Sequence, residues 1–218
     1  MLEQVYQSGF ISLLYSVGTV ASTVVRDRYS CARREDRGSI RRVLDEDVQS
    51  SVVELLAGNI AHTWLRIPFG AHEQQQESLL ASALHIRLRH LILVLKNLDQ
   101  HVSLEVHVAD DRNIRRRFRF STFQKSSAVH SQLALLPLHL DSGWNQLHLD
   151  LGELSRTCYN ARYAHAISVQ LHASCRVRRI YFAEQMFSEA QLPAEFRLFR
   201  RLNKRDQYRI SNKASKFS

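Results

Sequence analysis

Eleven histidines, three cysteines and a scatter of aspartates are the residues from which this chain could assemble a reactive or metal-binding centre. A structural zinc site needs about four Cys or His ligands at close pairwise spacing. Cys31, Cys158 and Cys175 are odd in number, widely spaced and without a C-x-x-C pair, so they read as free thiols. His62, His72, His85 and His90 fall in different segments. Only His101 with His107, and His139 with His148, lie near each other, and neither pair has a cysteine beside it. These histidines read as satisfied or solvated, and no metal or cofactor is expected.

Catalytic motifs are absent. The sequence has no G-x-x-x-x-G-K-[ST] phosphate loop, no G-x-G-x-x-G fingerprint, no G-x-S-x-G elbow and no H-E-x-x-H helix. Asp110, Asp111, Asp141 and Asp150 could supply a carboxylate pair for glycoside chemistry. Most of them sit in or beside turns, where an aspartate bonds its own backbone. Trp144 follows Asp-Ser-Gly at a strand start and reads as a core anchor rather than a sugar platform. The chain is expected not to be an enzyme.

The arginines offer a different chemistry, recognition of acidic groups. Arg115, Arg117 and Arg119 fall on one side of an alternating segment, with Phe118 and Phe120 on the other. Stacked like charges repel, so an acidic neighbour is required. Either Glu105 on the adjacent strand supplies it, or the stripe docks an acidic partner, joined by Arg176, Arg178 and Arg179. A second basic region is the C-terminal tail, where Arg200, Arg201, Lys204 and Arg205 are candidates for the same role. The last 22 residues hold eight bases and one acid, so most of the net charge of +9 lies there. With little apolar periodicity after Leu202, that tail is expected to be disordered when free.

The elements that carry these residues are mostly strands. Val102, Leu104, Val106 and Val108 alternate with polar residues, Asp110-Asp111-Arg112-Asn113 supplies a turn, and Ile114 to Phe120 alternates again, which predicts a hairpin. Leu136, Leu138 and Leu140, then Asp141-Ser142-Gly143, then Leu147 and Leu149 predict a second hairpin. Alternation from Ile167 to Val177 predicts one long strand with Gln170, His172, Arg176 and Arg178 on its outer face. Leu151, Leu154, Cys158 and Ala161 predict a short amphipathic helix. Ser188 with Gln191 resembles a capping box before Pro193, where another helix could start. Residues 19–38 and 66–83 read as surface loops.

Composition agrees with a folded domain: 44% hydrophobic and 23% charged residues are ordinary values. No apolar run approaches the ~18 residues of a membrane span, so no membrane partner is expected. The run Phe10 to Leu14 is too short for a secretory signal, which places the protein on the cytosolic side. Together these features predict a mainly β chain, an antiparallel β-sandwich or jelly roll with one or two short helices and a basic C-terminal tail. The expected layout is one sandwich domain over 1–199 and a flexible tail over 200–218.

Blocks in order along the chain resemble the cilia- and flagella-associated protein 20 family. They include Gln7-Ser8-Gly9-Phe10, Ile40-Arg41-Arg42-Val43, Lys96-Asn97-Leu98, Asp110 to Arg119, Gly143-Trp144-Asn145-Gln146, Cys175 to Phe182 and Leu192 to Phe196. The resemblance implies a structural protein of the ciliary or flagellar axoneme and basal body. It implies a position at the inner junction of doublet microtubules, where the B-tubule closes onto the A-tubule. The partners it implies are α/β-tubulin, the parkin co-regulated protein and other inner-junction proteins. The alternative is a nuclear protein that uses the basic tail on nucleic acid.

Overall fold

The computed structural model describes residues 9–15, 30–33, 38–68, 83–188 and 190–192. The chain divides into two compact units, Met1–Met186 and Phe187–Ser218. Within the first, two sheets pack face to face around one apolar core.

Sheet 1 contains β1 (Phe10–Tyr15), β3 (Ser39–Asp45), β4 (Ser50–Leu56), β6 (His90–Asn97), β11 (Gly143–Asp150) and β13 (Cys175–Ala183). Its order is β11-β6-β13-β4-β3, and β1 also pairs with β13. One side of β13 is shared end to end: Cys175 to Val177 pair with β4, and Arg179 to Ala183 pair with β1. Sheet 2 contains β2 (Ser30–Arg33), β5 (Thr63–Ile67), β7 (Ser103–Asp110), β8 (Arg115–Ser121), β9 (Ala128–Val129), β10 (Leu133–Pro137) and β12 (Tyr163–His172). Its order is β2-β5-β12-β7-β8-β10-β9.

The alternating apolar residues found in the sequence, Leu104, Val106 and Val108 of β7 and Phe118 and Phe120 of β8, are buried in the core, where Leu91, Leu93 and Leu95 of β6 join them. The one helix among the described residues, α1 (Leu151–Tyr159), buries Leu151 and Ser155. Its N-terminus is capped by Asp150, which accepts from the N–H groups of Gly152 and Glu153. This satisfies two of the four donors that a helix start leaves open. At the other end Asn160 adopts a left-handed conformation, φ 48°, and its N–H closes on Arg156 O.

The β7–β8 hairpin forms as expected, with Asp110 Oδ1 accepting from the N–H groups of Arg112 and Ile114 across the turn. Four expectations are corrected. The second hairpin does not exist: β10 runs parallel to β8 in sheet 2, while β11 pairs with β6 in sheet 1. The segment from Ile167 to Val177 is two strands. The chain turns at Ala173–Ser174, a cis peptide, and crosses from sheet 2 to sheet 1. Ala173 N–H donates to Thr63 O, Ser174 N–H to His101 O, and Ala57 N–H to Ser174 Oγ, which fixes the crossing. Apolar alternation continues through the crossing because Leu171, Ala173, Cys175 and Val177 all face the same core. Third, the stretches read as loops contain strand residues. Residues 30–33 form β2, and Arg66 and Ile67 belong to β5; the rest of both stretches, apart from Gly38, Pro68 and Ala83, lies outside the described residues. Fourth, Trp144 is half-buried and takes no part in the core; its Nε1 donates to Asp45 Oδ1 at 3.2 Å.

The second unit shows one described feature. Ser188 N–H and Oγ both reach Gln191 Oε1, and Gln191 N–H donates to Ser188 O. This is the reach-back half of the expected capping box. Residues from Pro193 on, including the tail, lie outside the described residues.

Candidate docking surface

The arginine stripe lies on the outer side of sheet 2. The registers place Arg66 of β5 beside Gln170 of β12, Gln170 beside Glu105 of β7, and Glu105 beside Arg119 of β8. One row further along, Ser168, His107, Arg117 and Leu133 are neighbours. Glu105 is therefore the acidic centre of a basic face. Arg119 binds it at 2.7–2.8 Å, Arg117 approaches to 3.6 Å, and His107 and His172 lie at 3.5 and 3.7 Å. Burial pushes the Glu105 carboxyl upward. The His107 ring beside it and the charges of Arg119, Arg117 and His172 outweigh that, and hold it down at about 2.

The sequence left two readings of the stripe open. The structure divides them by residue. Arg119 is held by Glu105. Arg117 shares the same carboxylate more loosely, at 3.6 Å. Arg115, opposite Ala109, has no such partner: its Nη2 is buried and makes no hydrogen bond among the described residues. Arg116, which the stripe skips, binds Asp110 at 2.9 Å, donates to Ser131 O, and stacks over the Tyr159 ring at 4.7 Å. A cleft of about 250 Å³ lies against these residues, bordered also by Arg66, His107, Gln132, Leu133 and Ile167.

Arg176, Arg178 and Arg179 do not join this face, because β13 belongs to sheet 1. Arg176 is clamped between two acids, binding Asp45 and Glu54 each at 2.8 Å. Arg41 binds Glu54 at 2.9 Å, and Lys96 binds Asp45 at 3.1 Å and Asp47 at 2.7 Å. Three bases and three acids thus form a neutral network across β3, β4, β13 and β6. Burial raises the Asp45 carboxyl, but hydrogen bonds from Arg176, Lys96 and Trp144 bring it to about 2. The β13 ladder slips between Val177 and Arg179. Arg178 is only 7% exposed, and burial pushes its guanidinium below its ordinary value. Arg179 is buried with its guanidinium 5.0 Å from the Tyr15 ring centre. Arg200, Arg201, Lys204 and Arg205 lie outside the described residues.

Arg66 was missed because its segment read as loop, although Trp64-Leu65-Arg66-Ile67 does alternate. The aspartates behave as turn residues: Asp110 and Asp150 bond local backbone. Cys158 and Cys175 are free thiols, and the side chain of Cys31 lies outside the described residues. His90 and His148 stack, with Nδ1 and Nε2 3.1 Å apart. Among the described residues no group of three or more His, Cys, Asp or Glu could hold a metal ion. A wider hollow of about 780 Å³ is lined by residues including Asn59, Asp99, His101 and His139. There Asn59 and Asp99 accept from Ala61 N–H and Ser142 Oγ, so their oxygens shape loops.

A model of the CFA20 domain matches residues 1–200. The chain belongs to the CFA20 domain family. Two relatives, both named cilia- and flagella-associated protein 20, are those of Chlamydomonas reinhardtii, 40% identical, and Paramecium tetraurelia, 37% identical. The alignments cover 91% of this chain and 97% and 96% of those proteins. The Caenorhabditis elegans protein of the same name is 33% identical, over 91% of each chain. Among solved structures, an endo-1,4-β-glucanase is similar at 10% identity and a TM-score of 0.40, over 82% of this chain and all of that one. CFA20 membership over most of the chain includes the β7–β8 hairpin that carries the arginine face.

Proposed function

We propose that this CFA20 protein is a structural, non-catalytic component of the ciliary or flagellar axoneme. In this reading it links the B-tubule to the A-tubule at the doublet inner junction. Its partners there are α/β-tubulin, the parkin co-regulated protein and neighbouring junction proteins. The observation that carries the reading is family membership over residues 1–200, with relatives named for cilia and flagella. The arginine face of sheet 2 supplies a physical means, since one carboxylate there faces several guanidinium groups and an acidic surface completes the balance. A filament repeats its sites, so modest contacts add through multivalency.

The test is retention. A tagged copy expressed in a ciliated cell is expected to remain on detergent-stripped axonemes in moderate salt. Arg115→Glu combined with Arg117→Glu is expected to lower its occupancy while the purified variant keeps a cooperative melt. Release of the unmutated protein into the soluble or nuclear fraction would overturn the axonemal reading and favour the nucleic-acid one.

A further inference from the structure

We propose that the cleft beside Arg115 binds the carboxylate of a glutamate side chain presented by an acidic partner segment. This deepens the reading above and rests on the arginine face being a docking surface. Three observations carry it.

The first is an unmet donor. Arg119 and Arg116 have their own carboxylates, in Glu105 and Asp110. Arg115 Nη2 is buried with no acceptor among the described residues. A buried N–H without an acceptor destabilises a fold, and an acceptor brought from outside removes that deficit. The second is charge. Arg115, Arg117 and Arg119 project from one strand toward a face whose central acid is Glu105. Glu105 is already engaged, so among the described residues the cleft retains positive potential. The third is shape. Alongside the guanidinium groups, the walls include Leu133 and Ile167, and the volume is about 250 Å³. A carboxylate suits the planar guanidinium fork, and the methylene stem of glutamate suits the two apolar walls. A phosphate shares the charge but brings no stem to cover Leu133 and Ile167.

The probe is a fluorescent peptide of ten glutamates, titrated with the full chain and followed by anisotropy. The unmutated protein is expected to bind it, more weakly as salt rises. Arg115→Gln is expected to lower the affinity about tenfold, the scale of one charged hydrogen bond. Arg115→Lys keeps the charge without the fork and is expected to fall between. Arg119→Gln, whose guanidinium is already held, is expected to change affinity less than about twofold. Arg115→Gln should also melt at or above the temperature of the unmutated chain, because it deletes an unmet buried donor, and this separates lost binding from lost folding. No binding of the peptide would overturn the proposal. So would equal binding by Arg115→Gln, or equal losses for Arg115→Gln and Arg119→Gln. Displacement by inorganic phosphate, at concentrations where sodium glutamate displaces nothing, would replace the carboxylate site by a phosphate site. Retention of the unmutated protein on axonemes together with failure in the peptide assay would remove the cleft alone. Binding of the peptide without axonemal retention would remove the ciliary reading and leave the cleft standing.

Discussion

Glu105 carries more of the sheet 2 face than any arginine does. It is 6% exposed and touches two arginines and two histidines from β7, β8 and β12. Glu105→Gln keeps its shape and removes its charge, leaving the two arginines without their acid. Breaking a buried pair by deleting one partner typically destabilises by about 3–5 kcal/mol. Arg117 and Arg119 can still reach water, so the expected loss is nearer about 2–3 kcal/mol, measured by urea denaturation. Arg119→Gln should lose less, since Arg117 and the histidines still face Glu105. This pairing was legible in the sequence. Alternation fixes which face each residue takes, and the short turn after Asp110 fixes the register that puts Glu105 opposite Arg119. The partners of Arg176 were not legible. Asp45 lies 131 residues away, and nothing local links the two.

At the scale of elements, α1 shows how one side chain holds two things. Asp150 caps the helix and also binds the Arg89 guanidinium. Asp150→Ala removes both and is expected to destabilise the fold by about 1–2 kcal/mol. Asp150→Asn retains an oxygen for the cap and should recover about half of that, checked by denaturation of both variants side by side. The helix was readable because its apolar spacing is local. The alternating segments from Val102 onward were readable as strands, but beyond the β7–β8 hairpin their partners were not. Leu133–Pro137 and Gly143–Asp150 sit on either side of a turn signal, yet they go to different sheets. Periodicity states which face is buried and says nothing of which strand lies alongside. The crossing at Ala173–Ser174 hid for a related reason: both strands bury the same parity of residues, so their pattern has no break. A bulge between Ala166 and Ser168 also moves Ile167 out of the main core and into a small cluster with Ala83 and Ala109.

For the molecule as a whole, each sheet holds a buried carboxylate whose pKa is strongly lowered, Asp45 in sheet 1 and Glu105 in sheet 2. Both are held near 2, below their ordinary values of 3.8 and 4.5. A carboxylate with a lowered pKa adds stability above its unfolded value and loses it as pH falls toward the folded one. Stability is therefore expected to be flat near neutrality and to decline between about pH 4.5 and pH 2. The two groups together account for roughly 4–6 kcal/mol. His90 and His148, pushed down chiefly by burial, add a smaller decline that begins below 6.5. Urea midpoints measured across this range check the expectation. Single substitutions at Asp45 and at Glu105 should each flatten part of the acid limb.

The outer sides of the two sheets differ in electrical character among the described residues. On sheet 1, Arg41, Lys96 and Arg176 are balanced by Asp45, Asp47 and Glu54. On sheet 2, Arg117 and Arg119 share one Glu105, and Arg115 lies further along the same strand, opposite Ala109. A body whose two sides differ in charge feels a torque in an external field before it touches anything. Near an acidic surface it turns its positive side inward while still a Debye length away, about 8 Å at physiological ionic strength. The neutral network on sheet 1 thus does more than hold strands: by cancelling its own field, it leaves sheet 2 as the charged side among the described strands.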